Sequence, residues 1–147
     1  MRLSTKARYA VRAMIDLAQN SQEGTVTRDE IAERQSISPL YLSHILLRLG
    51  KADLVVSTKG PGGGYQLARI PTTIRVGDIV RAVGEPLDLV PCVQAERSTC
   101  GRSEKCAAQW LWRQLSEVIQ DTLDAVTLQE LTERENDLSG RAVEPGP

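Results

Sequence analysis

The sequence contains no phenylalanine, and aromatic residues of every kind make up 3% of it. A core of stacked rings is excluded, so leucine, valine, isoleucine, alanine and methionine must fill the interior. Histidine occurs once, at His44, which excludes a histidine-rich metal site. It also leaves an enzyme with a cysteine nucleophile almost no candidate base, so no enzymatic activity is expected. No apolar run approaches the roughly 20 residues that span a bilayer. The start Met1-Arg2-Leu3-Ser4-Thr5-Lys6 leads straight into an amphipathic pattern without a signal-peptide core. A cytoplasmic protein with no membrane partner is therefore expected. Cysteines number three, and an odd count in such a compartment argues against a disulfide framework.

What is present suits a soluble protein of 147 residues, 41% hydrophobic and 25% charged. The formal net charge of −1 is unremarkable, but its distribution is not. Residues 1–69 hold 10 basic against 6 acidic side chains, whereas residues 70–147 hold 8 against 13. A positive first half is the electrostatic footprint expected of a surface that meets a polyanion.

Residues 4–20 predict a helix, because Tyr9, Ala10, Ala13, Met14, Leu17 and Ala18 recur at three- and four-residue steps. Thr27-Arg28-Asp29-Glu30 is a capping box opening a short helix. Ser38 is an N-cap followed by Pro39 at the first helical position, and the third helix runs to about Lys51 on a stripe of Leu42, Ile45, Leu46 and Leu49. The stretch Leu54-Val55-Val56-Ser57, the loop Lys59-Gly60-Pro61-Gly62-Gly63-Gly64 and the alternating Tyr65-Gln66-Leu67-Ala68 make a hairpin. A fourth helix is expected over Ile74 to Val83, a polar loop over 90–103, a long helix started by Ser103-Glu104-Lys105-Cys106, a short last helix over Leu128–Arg134, and a disordered tail beyond Asp137. The fold class is mainly α: a winged helix-turn-helix with a small β-hairpin wing and a long C-terminal dimerisation helix. Its parts are a DNA-binding domain over 1–84, a cysteine-containing loop over 85–103, the dimerisation and terminal helices over 104–136, and the tail over 137–147.

The helix opened by Ser38 is the candidate reading helix for double-stranded DNA. Residues in the first turns of such a helix reach base edges in the major groove, here Ser38, Leu40, Tyr41, Ser43 and His44. Arg48, Lys51 and the N-terminal Arg2, Lys6 and Arg8 read as phosphate contacts that position without specifying sequence. The glycine-rich loop has a rival reading as a nucleotide-phosphate cradle, but such a cradle ends in Lys-Ser/Thr at a helix start, and this one runs into a strand. It is read as a wing, with Lys59, Gly60 and Gly62 against the sugar-phosphate edge.

Cys92, Cys100 and Cys106 lie within fifteen residues, with seven and then five residues between them. Cys106 is expected in the first turn of a helix capped by Ser103, where the helix dipole favours the thiolate; Arg102 and Lys105 add positive charge. Three thiolates in a loop suit an iron–sulfur cluster, [2Fe-2S] or [4Fe-4S], with zinc or no metal as alternatives. A fourth ligand is open among Glu96, Glu104, Gln109, a group from a partner subunit and a labile small molecule. The stripe Leu111, Leu115, Val118, Ile119 and Leu123, with Trp110 and Trp112 beside it, exceeds what a small domain needs to cover itself. A two-fold homodimer is expected, since paired reading helices one duplex turn apart read a palindrome.

These residues together resemble the IscR-type winged-helix regulators, the family that includes NsrR, RirA and CymR. The resemblance rests on the start Met1-Arg2-Leu3-Ser4-Thr5-Lys6-Ala7-Arg8-Tyr9-Ala10-Val11, the wing Lys59-Gly60-Pro61-Gly62-Gly63-Gly64-Tyr65, and Leu111-Trp112-Arg113-Gln114-Leu115 after the cysteines, and it reaches to about Leu131. It implies a homodimer with crossed long helices, a cluster in each cysteine loop, iron–sulfur assembly proteins as cluster donors, and control, as a repressor or activator, of iron–sulfur assembly, iron or nitrosative-stress genes. A cluster-free regulator acting through a protein partner is the alternative. Gln109 stands where IscR-like members carry a ligand histidine, Arg8 where NsrR-like members place an acidic ligand from the other subunit, and Ser43 where IscR-like members have a glutamate.

Overall fold

A computed structural model describes residues 2–94 and 100–141. Eight principal elements follow one another: α1 (Thr5–Asn20), α2 (Arg28–Gln35), α3 (Pro39–Lys51), β1 (Val55–Thr58), β2 (Gly64–Leu67), α4 (Val76–Ala82), α5 (Ala107–Ala125) and α6 (Leu128–Arg141). Short 3-10 turns lie at Pro71–Thr73, Pro91–Val93 and Ser103–Lys105. The fold is mainly α with a single two-stranded hairpin among the described residues, the winged helix-turn-helix expected.

The core forms around α1, which packs against α2, α3, α4, α6 and β2. Its inward face is small: Ala7, Ala10, Ala13 and Ala18 are buried beside Met14 and Leu17. Four methyl side chains let neighbouring helix backbones approach closely, and Ile31, Leu42, Ile45, Leu46, Leu49, Ile74, Ile79 and Leu128 fill the remaining space. Tyr9 and Tyr41 meet edge to face at 6.0 Å on its margin. The two tryptophans take no part in the core; both are exposed.

Local chemistry sets the helix ends. The Thr27 hydroxyl accepts from the Glu30 N–H at 3.2 Å while the Glu30 carboxylate accepts from the Thr27 N–H at 2.7 Å. Thr127 and Glu130 repeat this box at the start of α6. Ser38 accepts from the Tyr41 N–H with Pro39 at the first position of α3. Ser4 caps α1 through the Ala7 N–H, and its own N–H and hydroxyl both donate to Glu85, beyond α4.

Among the described residues one charge is fully inside. Asp16 is 1% exposed and receives both Nε and Nη2 of Arg34, at 2.9 and 2.7 Å, and Nε2 of Gln35 at 3.0 Å. The fork raises the Arg34 pKa, chiefly through that hydrogen bonding. It pins the end of α2 to α1 and so sets the angle at which α3 leaves the turn. Its parts lie 18 residues apart, which is why no local sequence pattern shows it.

Three expectations need correction. Helix α4 begins at Val76, not Ile74, because Ile74 and Val76 are engaged in backbone bonds to Leu128 and Val126. The long helix begins at Ala107: Ser103–Lys105 is a 3-10 turn, so Cys106 is the N-cap itself rather than a residue of the first turn. Helix α6 continues to Arg141, past both Arg134 and the Asp137 at which a tail was expected. It is held against α1 by the Gln19–Asn136 hydrogen bond of 2.8 Å. Residues 142–147 and Glu96 lie outside the described residues.

Both capping glutamates, Glu30 and Glu130, have their pKa lowered, first by the backbone N–H they accept and then by the threonine hydroxyl. A lowered carboxylate stabilises the fold above its ordinary range and loses that contribution as pH falls through the lowered value. A Glu30→Gln/Glu130→Gln variant is expected to melt below the wild type at pH 7, with the gap closing as the pH is brought into the acid carboxylate range; a constant gap in thermal melts would contradict the charge-based account. Thr27→Ala is expected to cost about 1 kcal/mol at neutral pH.

Candidate nucleic-acid interface and cysteine loop

The candidate reading face is built from α3 and the hairpin. Leu42, Ile45, Leu46 and Leu49 sink into the core, which turns Ser38, Leu40, His44, Leu47 and Lys51 outward. Leu40 is 70% exposed at the leading end of α3. Between α3 and the hairpin runs a groove of about 700 Å³ lined by Ser43, His44, Leu47, Lys51, Val56 and Tyr65, among others. Apolar walls with hydroxyl, imidazole and ammonium groups along one edge match the mixed surface that base edges present.

The wing is rigidly tied. Val26 and Tyr65 exchange backbone hydrogen bonds of 2.9 and 2.7 Å, so β2 is stitched to the segment before α2. A side chain at Gly64 would put its Cβ 2.6 Å from the Val26 carbonyl oxygen, hence the glycine. Gly62 sits at φ +72 and its carbonyl accepts from the Thr25 hydroxyl at 2.7 Å. Lys59, Gly60 and Gly62 are exposed at the tip.

The remaining basic residues divide. Arg2, Arg8 and Lys51 are exposed and Lys6 is half-buried; Arg8 donates to Thr5 on its own helix. Arg48 is exposed, but its guanidinium donates to the Val83 carbonyl at 3.4 Å, at the end of α4. Arg28, not singled out in the sequence, donates to Ser43 at 3.2 Å. Ser43 in turn donates to the Pro39 carbonyl at 3.0 Å.

The second region lies along α5. Its two buried residues are Gln109 and Ser116, and both hold the segment that leads to the first cysteine. Gln109 donates through Nε2 to the Cys92 carbonyl, the Ser116 hydroxyl accepts from the Leu89 N–H at 3.0 Å, and Gln120 donates to Asp88 at 3.5 Å. Residues 88–92 are thus laid down along one polar stripe of the helix. Another stripe carries Leu111, Leu115 and Val118, all exposed.

All three cysteines are free: Cys92 and Cys106 are half-buried and Cys100 is exposed. Cys106 caps α5, its carbonyl accepting from the N–H groups of Gln109 and Trp110. The tether from Gln109 therefore draws Cys92 and Cys106 to the same end of α5. Arg102, Glu104 and Lys105 line a pocket of about 550 Å³ with Cys106. The donor chemistry fits a thiolate-bound cluster. Among the described residues, however, no group of three or more Cys, His, Asp or Glu side chains is already assembled to hold a metal.

The far end of α5 is clamped to the head. Val76 donates to the Val126 carbonyl at 3.0 Å and Leu128 to that of Ile74 at 2.9 Å. Arg81 donates to Asp124 at 2.6 Å, a pairing that raises the arginine pKa. A side chain at Gly77 would collide with the Asp124 carboxylate.

The family model described as Rrf2, iron-dependent transcriptional regulator, matches residues 3–134. The chain is 47% identical over 131 residues to the HTH-type transcriptional regulator IscR of Pectobacterium atrosepticum, covering 89% of this chain and 79% of that one. It is 43% identical over 143 residues to an IscR of Escherichia coli, covering 96% and 87%. Among solved structures, CymR, the global cysteine regulator of B. subtilis, superposes with a TM-score of 0.77 at 32% identity, over 91% of this chain and 98% of that one. T. potens IscR gives 0.75 at 34% identity, over 100% and 94%.

If Gln109 holds the loop, Gln109→Leu releases it. Native-state alkylation of Cys92 is expected to quicken by roughly fivefold, the equivalent of a hydrogen bond of about 1 kcal/mol, while Cys100 is unaffected. Equal rates for Cys92 in both proteins, read by peptide mass spectrometry, would remove the tether.

Proposed function

The chain belongs to the Rrf2 family of transcriptional regulators, a non-enzymatic DNA-binding class, and from that premise we propose that it is a homodimer whose operator affinity is set by an iron–sulfur cluster on Cys92, Cys100 and Cys106. The observation that carries this reading is the position of α5. One end gathers the Cys92 segment through Gln109; the other is locked to the head through Arg81, Asp124 and the backbone bonds of Ile74 and Val76. A change in the loop therefore acts on a stiff element that ends on the DNA-binding half.

Leu111, Leu115 and Val118 recur at steps of four and three, so they share a face that the monomer leaves open to water. Two such faces pack α5 against its copy and place two reading helices on one side of a palindromic duplex. Ser38, Leu40, Tyr41 and His44 then meet bases, with Ser43 beside them; Arg2, Lys6, Arg8, Lys51 and Lys59 meet phosphates, with Gly60 and Gly62 at the wing tip. Arg48 contributes from the junction with α4. Cys92, Cys100 and Cys106 would hold the cluster, which would tie the exposed Cys100 to the two thiols near α5. It would shift the dimer between arrangements only to the extent that it interacted differently with them. The family description, iron-dependent transcriptional regulator, supports control of iron-responsive genes; iron–sulfur assembly or nitrosative-stress genes as targets, assembly proteins as cluster donors and the cytoplasm as the setting belong to the same proposal. A second reading, a cluster-free regulator working through a protein partner, draws on Gln109, which stands where a ligand histidine is expected and gives its amide to the Cys92 carbonyl.

Anaerobic reconstitution with iron and sulfide is expected to give a coloured protein whose operator affinity differs from that of a Cys92→Ser/Cys106→Ser variant. A colourless product would favour the second reading. Leu115→Asp/Val118→Asp is expected to give a monomeric mass in light scattering. Lys51→Ala and Lys59→Ala are each expected to weaken binding to all duplexes alike and to flatten the salt dependence by roughly one unit of slope; unchanged slopes would reassign both.

A further inference from the structure

Arg28 opens α2, yet its side chain leans onto α3. Its Nε donates to Asp29 Oδ1 at 2.9 Å, Nη2 forms an ion pair with the same oxygen at 2.9 Å, and Nη1 donates to the Ser43 hydroxyl at 3.2 Å. A guanidinium has five N–H groups; Asp29 takes the one on Nε and Ser43 one on Nη1, which leaves at least one on each terminal nitrogen. The side chain is 42% exposed, so those two remain open to a ligand. Ser43 cannot turn freely to meet a base, because its own proton is given to Pro39 and its oxygen receives Arg28.

Charge decides what such a group is for. Asp29 neutralises Arg28 at contact distance, so the pair as a whole attracts phosphate weakly. It is suited to a directional contact in which two N–H groups meet two acceptors. In the major groove, O6 and N7 of guanine offer that pair. We propose that Arg28, held by Ser43 and Asp29, is a sequence-reading residue that recognises a guanine edge beside α3, and that Ser43 acts as the positioning residue for it rather than as a reader itself. This rests on the DNA-binding reading above and extends it to specificity.

The test uses the full chain and a duplex selected by the wild type from a randomised library, together with all its single-base-pair substitutions. Arg28→Lys keeps the charge but not the fork. It is expected to lose about 10-fold or more in preference for guanine at one position of each half-site, with an unchanged salt slope. Ser43→Ala is expected to reduce preference at that same position, and the double variant to be no worse than Arg28→Lys alone. Thermal melts of each variant exclude unfolding as the cause. The assignment is overturned if Arg28→Lys retains the wild-type base preferences, if it weakens every duplex equally, or if Ser43→Ala alters a different base pair. Should the wild type select no duplex at all, the DNA-binding reading fails with it, whereas normal selection by Arg28→Lys sinks the Arg28 assignment alone.

Discussion

Everything in the head depends on how closely other helices can approach α1. A chain without phenylalanine cannot fill wide gaps with rings, so it must avoid having them. The buried alanines at positions 7, 10, 13 and 18 bring α2, α3, α4 and α6 near the α1 backbone, where leucine and isoleucine suffice. Once α1 is surrounded, Asp16 lies in the same interior and must be matched there. The Arg34 fork and Gln35 do so. An unmatched buried carboxylate would cost several kcal/mol, so the α1–α2 geometry is fixed twice, by volume and by charge.

From that frame the two halves of the protein separate cleanly. The reading helix and the wing are held by short-range devices: the Thr27 box, the Ser38 cap, and the Val26–Tyr65 backbone pair. Helix α5 is held differently, by backbone and ion-pair bonds at its far end and by polar side chains along one stripe. Its middle turns apolar groups outward and polar groups toward residues 88–92, the reverse of an ordinary surface helix. That inversion is why α5 reads as an interface element while every other helix reads as a self-sufficient part of the head.

Much of this was legible in the sequence, and the reasons are physical. Thr27-x-x-Glu30, Ser38-Pro39 and the alternation around the glycine loop encode local hydrogen bonding, so α2, α3 and the wing could be located from neighbouring residues alone. The extension of α6 could not, since Ser139 and Gly140 are poor helix formers and the restraint from Gln19 comes from the opposite end of the chain. The start of α5 falls beyond Ser103, which resembles a cap, because the backbone there closes a tighter turn first. The role of Gln109 showed only as a residue of the wrong type for a ligand; its hydrogen bond to Cys92 depends on a fold-back of 17 residues. Arg28 carried no signal beyond being basic, because what distinguishes it is Ser43, 15 residues away.

Both tryptophans of the chain stand at the start of α5, at positions 110 and 112, and both are exposed. Indole emission from this molecule therefore originates at one spot, four and six residues from Cys106, with none arising from the winged half. Fluorescence excited at the red edge of the indole band will follow events at the sulfur-bearing end without an attached dye, and an unfolding curve recorded that way will describe the release of α5, not the melting of the alanine-lined interior.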